Sequence, residues 1–311
     1  METAVARVER IIGNYEGKNQ GKLFIVVAGM HGNETTGVIA LQRIFGYLHD
    51  ASPDFNGKFV GLSGNLEAIE QNQRFIHTDF NRIWAEDHVE KTKSLNIDAL
   101  LTNEERQQKL LMSEIEEIAT GYQPQDVVFV DLHNTSSSHG YFTFTFSGKT
   151  NLKIAAAIHV PTITGLQKTL SGTAIEYFSN RGFASVAFEG GQIDDETGIE
   201  VHEAGIWLLL EIAGCINRSD IPNYENCRQK LCEIAEDFPK LTDLIYVHHI
   251  EPKDNFKMMP GFKNFQPIEK GQLLGHDARG EVRAPKNGCI LMPLYQQQGD
   301  EGFFIIKVIE H

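Results

Sequence analysis

The run Leu23-Phe24-Ile25-Val26-Val27-Ala28 is apolar and uncharged from end to end, and it stops abruptly at Gly29-Met30-His31-Gly32-Asn33-Glu34. Such a run reads as a buried strand rather than as one face of an exposed sheet. Behind it, Val38, Leu41, Ile44, Phe45 and Leu48 recur at helical spacing. The same alternation continues: residues 58–63, 126–133 and 185–189 read as strands, and residues 104–118, 201–216 and 223–236 as helices. This is the sequence form of an α/β sheet with helices on its faces.

From residue 241 the character changes to short apolar alternations broken by turns and glycines, which predicts an all-β module of about 70 residues. The expected division is therefore a domain over 1–238 and a C-terminal β domain over 239–311. At 311 residues, one large domain plus a smaller one is the natural partition.

A net charge of −14 argues against a nucleic-acid or anionic-membrane surface, since both need clustered Lys and Arg. An anionic small substrate stays compatible, because a few arginines inside a cleft reverse the local field. Residues 1–22 carry mixed charge and no apolar core, so no signal peptide is expected. No segment approaches the roughly 20 apolar residues needed to span a bilayer. The four cysteines (215, 227, 232 and 289) form no C-x-x-C pair, which fits reduced thiols and a cytoplasmic location.

His31 and Glu34, three residues apart where strand turns into helix, can point at one cation. Imidazole nitrogen with carboxylate oxygen suits zinc. The competing reading is a helix-capping turn in which Asn33 or Thr35 caps and His31 is incidental. His133 emerges at the end of the apolar run 127–130 and supplies a third candidate ligand; three such ligands leave a fourth position for water. Asp131 shares its strand face and is expected to support it.

Glu189 ends another apolar strand and enters a glycine turn, which makes it the general-base candidate. In open sheets, sites form beyond the carboxyl ends of strands, where all four of these residues fall. Between the ligand segments, Arg74, Asn81 and Arg82 add cations and an amide in an acidic chain. Arg82 would grip a substrate carboxylate with Asn81 in support, and Arg74 would hold a developing oxyanion. A surface ion pair with Asp79 is the plainer alternative.

Four motifs, His31-Gly32-Asn33-Glu34, Asp79-Phe80-Asn81-Arg82, Asp131-Leu132-His133-Asn134-Thr135 and Phe188-Glu189, occur in the order found in the succinylglutamate desuccinylase and aspartoacylase family, which the chain resembles. That family is related to zinc carboxypeptidases. The resemblance covers most of residues 20–240 and, more loosely, the β module. It implies a carboxypeptidase-like three-layer α/β/α domain with a mixed, mainly parallel sheet.

It further implies one Zn²⁺ per chain on His31, Glu34 and His133, Glu189 as general acid/base, Arg74 at the oxyanion, and Asn81 and Arg82 on a substrate carboxylate. Arg181 and Tyr295 lie near where the family has further substrate contacts. The expected activity is hydrolysis of the amide of a small anionic N-acyl amino acid by a metal-activated water. Two alternatives stay open: a metallocarboxypeptidase acting on a peptide or cell-wall fragment, and an inactive metal-binding or assembly protein. A homo-oligomer is compatible with either. The stretch 281–291 resembles the hammerhead of biotinyl and lipoyl carrier domains but lacks a hairpin-tip lysine, so no cofactor attachment is expected there.

Overall fold

Residues 8–309 are described by the structure, a computed structural model. The chain begins with strands β1 (Ile11–Glu16) and β2 (Asn19–Ala28), helix α1 (Thr36–Ala51), strand β3 (Asn56–Ser63) and the short α2 (Leu66–Glu70). Helices α3 (Glu86–Ser94) and α4 (Asn103–Ile118) lead to β4 (Val127–Thr135), β5 (Tyr141–Thr145), α5 (Lys149–Ala157), β6 (Thr162–Thr164) and α6 (Ala174–Asn180). Strand β7 (Ala184–Gln192) and helices α7 (Thr197–Ile212) and α8 (Tyr224–Ile234) follow. The remainder is β8 (Leu241–His249), β9 (Lys257–Met258), β10 (Pro267–Ile268), β11 (Leu273–Asp277), β12 (Gly280–Arg283), β13 (Gly288–Leu291) and β14 (Glu301–Val308), with no α-helix.

The fold is mixed α/β. One eleven-stranded sheet has the order β1-β3-β2-β4-β7-β5-β6-β8-β14-β13-β10. Its inner strands β3, β2, β4 and β7 run parallel. β1 and β5 enter antiparallel.

The apolar run of β2 is buried because it is sandwiched: Phe24, Val26 and Ala28 face α1, α5, α7 and α8, while Leu23, Ile25 and Val27 face α3, α4 and α6. Alternate side chains of one strand thus feed two cores, which is why the sequence shows no polar alternation. Helices cover both faces in three layers.

The C-terminal strands continue this sheet, since β8 pairs parallel with β6 and antiparallel with β14. β14 is shared between two cores: Phe304 and Ile306 pack with the α4 and α6 side, and Phe303 and Ile305 pack with Ile268, Leu274, Val282 and Ile290. A second sheet, β12-β11-β9, stands beside it.

The apolar helix α7 spans 197–212 rather than 201–216, because Gly214 (φ +81°) turns the chain and Cys215 and Ile216 return to pair beside Phe55. The same shift places Cys215 outside any helix. All four thiols are free. Among the described residues no helix is long and apolar enough to cross a membrane.

Candidate active site and metal centre

The carboxyl ends of β2, β4 and β7 lie side by side, and the strand pairing itself assembles the site. His133 on β4 is the register partner of Glu189 on β7. Beyond β2, the turn closes with Glu34 N–H donating to the His31 carbonyl at 3.1 Å. Gly32 is required there: a Cβ would stand 2.0 Å from the Ala68 carbonyl carbon. Its N–H donates to the Arg74 carbonyl at 3.2 Å and so draws the 74–82 segment against the turn. Glu104, buried at the start of α4, holds the same segment by accepting from Ile76 N (2.8 Å) and His77 N (3.2 Å). Thr35 occupies the helix N-cap, yet its side chain makes no capping bond. Capping therefore does not account for His31 and Glu34.

One nitrogen or oxygen from each of His31, Glu34 and His133 lies within 4.8 Å of the other two, and all three residues are buried. Both imidazoles turn Nδ1 toward Glu34, His31 at 2.9 Å from Oε1 and His133 at 3.0 Å from Oε2. The His31 contact lacks hydrogen-bond geometry, so its Nδ1 is a buried polar atom without a hydrogen-bond partner. Both Nε2 atoms are held from behind by carboxylates, His31 by Asp79 at 3.0 Å and His133 by Asp131 at 2.8 Å. Carboxylates behind ligating histidines fix the tautomer and raise ligand basicity, so this donor set fits a metal ion.

The electrostatics agree. Burial alone would lower the His133 pKa, but Asp131 and Glu34 raise it well above the usual histidine range. Burial and Arg74 oppose protonation of His31, and Glu34 and Asp79 overcome them. Burial would raise the Glu34 pKa, yet His31 and His133 hold it well below the usual carboxylate range. The pocket is built to hold positive charge.

Glu189 is the exception among the carboxylates. It is 4% exposed, its Oε2 has no hydrogen-bond partner, and burial pushes its pKa up to about 7 against the opposing pull of His133. It lines the same cleft as His31, Arg74, Asn81, Arg82 and His133, a hollow of about 440 Å³ including its mouth.

Arg74 is buried between Asp79, which accepts from Nε (3.2 Å) and Nη2 (2.9 Å), and Glu34, which accepts from Nη1 at 3.1 Å. Asn81 Nδ2 donates toward Asp131 (3.4 Å) and lies 3.2 Å from His133 Nε2, while its Oδ1 accepts from Ala174 N (2.8 Å), tying α6 to the site. Arg82 gives its Nε and Nη2 to Glu301 at 2.8 and 2.7 Å and its Nη1 to the Asn81 carbonyl at 2.8 Å. The sequence had suggested none of Asp79 as a histidine support, Glu301 as the partner of Arg82, or His202 beneath Gly190. For Asp79 a signal was present, an acid opening the Asp-Phe-Asn-Arg motif whose Oδ1 also accepts from Asn81 N at 2.8 Å.

Arg181 and Tyr295 are not brought to this cluster. Arg181 caps the far end of α6, about 10 Å along the helix from Ala174, and pairs with Glu86 at 2.7 and 2.6 Å across the Tyr177 ring. Tyr295 is 41% exposed, with its hydroxyl donating to the Met259 carbonyl and accepting from Phe262 N, both at 2.9 Å. Its segment is tied to the neighbouring loops, where Asn33 Nδ2 donates to Gln296 (3.3 Å) and Gln298 Nε2 to the Phe75 carbonyl (3.1 Å), and Leu294 and Gln296 line a second hollow with Arg74 and Arg82.

Comparison with known proteins gives a consistent answer. Residues 20–193 match the model of the succinylglutamate desuccinylase/aspartoacylase catalytic domain. A succinylglutamate desuccinylase of Pseudomonas fluorescens (strain Pf0-1) is 35% identical over 82 residues, 25% of this chain and 24% of the relative. The match therefore spans about a quarter of that enzyme's length. A probable aspartoacylase of Synechococcus sp. (strain CC9605) is 27% identical over 262 residues, 81% of this chain and 75% of the relative. Among solved structures, a succinylglutamate desuccinylase from Vibrio parahaemolyticus superposes with a TM-score of 0.68 at 14% identity, covering 96% of this chain and 86% of that one. A succinylglutamate desuccinylase/aspartoacylase from Rhodobacter sphaeroides gives 0.66 at 16% identity, covering 96% and 88%. These structural likenesses bear on the fold.

Proposed function

The chain belongs to the succinylglutamate desuccinylase and aspartoacylase family, and on that premise we propose that it is a zinc-dependent deacylase that hydrolyses the amide bond of an N-acyl amino acid. The observation that carries this reading is Glu189: a buried carboxylate with a free oxygen and a pKa of about 7, in one cleft with a His-Glu-His group. A general base works best when its pKa lies near the working pH.

His31, Glu34 and His133 would hold the Zn²⁺, which when bound polarises a carbonyl and lowers the pKa of a water to about 7. Asp79 and Asp131 keep both imidazoles oriented with Nδ1 inward. Glu189 takes the proton of the attacking water as the carbon–oxygen bond forms. It returns that proton to the amide nitrogen as the carbon–nitrogen bond breaks. With the second water proton following to the nitrogen, water and amide thus become one carboxylate and one ammonium. Arg74 adds fixed positive charge beside the developing oxyanion.

The segment 294–298, tied to Asn33 and Phe75 beside the His31 turn, favours a small substrate over a long peptide. The test is purified protein loaded with one equivalent of zinc and offered N-acyl amino acids beside peptides of increasing length. Release of free amino acid from the former, falling with peptide length, is expected. Preferential trimming of peptides would move the assignment to a metallocarboxypeptidase, and metal binding without turnover of either to an inactive metal-binding protein.

A further inference from the structure

Two hollows meet at the cleft. The one that holds His31, His133 and Glu189 and the second, of about 410 Å³ including its mouth, share Arg74, Arg82, Met292 and Phe304. Arg74 and Arg82 are fixed by their carboxylate partners, and Phe304 is buried within β14. Met292 is the half-buried, unbranched member of the four. Its backbone is nevertheless held. Among the described residues, Met292 (φ +48°) and Phe265 (φ +65°) are the two large apolar side chains on left-handed backbone, a conformation uncommon outside glycine. Asn264, 2% exposed, joins them. It directly precedes Phe265, its Oδ1 accepts from Met292 N at 2.6 Å, and its Nδ2 donates to the Ser138 carbonyl at 3.0 Å in the turn after β4. Unfavourable backbone kept in place by surrounding bonds gathers at ligand clamps. Here it aims one side chain at the boundary between the two hollows.

Resting on the deacylase reading above, we propose that Met292 is a specificity-determining residue: held by Asn264, it partitions the two hollows and limits the size of the N-acyl amino acid that the cleft admits. The C-terminal strands and their loops thus set substrate size, while the candidate metal ligands and base come from the α/β part. Short and long members of one series carry the same α-carboxylate and differ only in bulk beyond it.

The test uses the zinc-loaded full chain and two ligand series: alanine carrying an acetyl, hexanoyl or decanoyl group, and acetyl carried by alanine, leucine or tryptophan. Binding is measured by calorimetry on a Glu189→Gln background, and turnover with Glu189 intact. From the shortest to the longest member, affinity and kcat/KM of the wild type are expected to fall at least about tenfold in one series or both, as an apolar wall discriminates over a methylene or two. Met292→Gly keeps the left-handed backbone at no steric cost and should recover about tenfold for the longest member. Asn264→Ala, which frees Met292 without removing it, should move the same ratio in the same direction. An unmoved ratio in Met292→Gly, or a wild type that takes the longest members as readily as N-acetylalanine, overturns the proposal, and hydrolysis without size discrimination would do so while leaving the deacylase reading standing. Size discrimination in binding, relaxed by Met292→Gly, with no hydrolysis of any member would support it while removing the deacylase reading. Should no member bind, crystal structures of the wild type and Met292→Gly decide: hollows run together in the variant support the partition, and hollows still separate overturn it.

Discussion

The carboxylate of Asp79 stands 3.0 Å from Nε2 of His31, and its other oxygen accepts from Arg74 at 2.9 Å. One buried side chain therefore orients a candidate metal ligand and a cleft cation together. Asp79→Asn would leave His31 in place but remove the charge that fixes its tautomer. Zinc affinity should fall about 10- to 100-fold, as loss of such supports does elsewhere. Competition against a fluorescent chelator measures it, and an unchanged affinity would show that Asp79 serves Arg74 alone.

Glu189 lies beside His133 without touching the three candidate ligands through a hydrogen bond. Glu189→Gln should keep one equivalent of bound zinc and lose turnover by about 10²- to 10⁴-fold, the range of general-base contributions. Zinc content by emission spectroscopy and amine release measured on one preparation separate the two effects. Undiminished turnover would remove Glu189 from its role.

Gly190 admits no side chain, because a Cβ would sit 2.3 Å from Nε2 of the buried His202. Gly190→Ala should destabilise the fold by about 1–3 kcal/mol through overpacking. The contrast is Gly46, exposed within α1 with nothing near its missing Cβ, where alanine should stabilise by about 0.5–1 kcal/mol. Urea denaturation read by circular dichroism checks both signs.

His202 itself gives a pH dependence of stability. Burial lowers its pKa from 6.5 to about 4, with His133 adding to the effect and the Phe188 carbonyl and Glu34 opposing it. Between these values the unfolded chain binds a proton that the folded chain refuses. Stability contributed by neutral His202 is thus present above about 6.5 and lost as pH falls toward 4. The loss amounts to at most about 3 kcal/mol at 1.4 kcal/mol per unit. Going from pH 7.5 to 6 to 5, the unfolding free energy of the wild type should move downward relative to that of His202→Asn, which lacks this group.

Arg181, paired with Glu86 at the surface end of α6, should be dispensable. Arg181→Ala is expected to leave KM within about twofold of wild type, as for most exposed ion pairs. A tenfold rise in KM would return it to the substrate.

The candidate metal ligands could be picked out because they terminate apolar strands: the runs before His31 and His133 locate the sheet, and carboxyl ends of parallel strands are where sites form. Glu189 was legible for the same reason. Their partners were not, since Glu301 is 219 residues from Arg82 and only strand order brings it near. Arg181 and Tyr295 illustrate the opposite failure. Proximity in sequence to α6 and to the β module says nothing about which end of a helix, or which side of a loop, faces the cleft. The expected β module is all-β and has a small core of its own, but β8 docks on β6 by backbone pairing, a choice that composition does not encode.

The shared strand β14 has a consequence for how the site comes into being. A ribosome delivers the His-Glu-His group well before the partner of Arg82, which follows that arginine by 219 residues. Until Glu301 emerges, Arg82 lacks its carboxylate partner and β8 has no β14 to pair with. Domains fold largely as units during synthesis, and unpaired strand edges recruit other chains. The three candidate metal ligands are thus translated well before the carboxylate that pairs with Arg82. One strand, β14, therefore both joins β8 to β13 and supplies the carboxylate that pairs with Arg82.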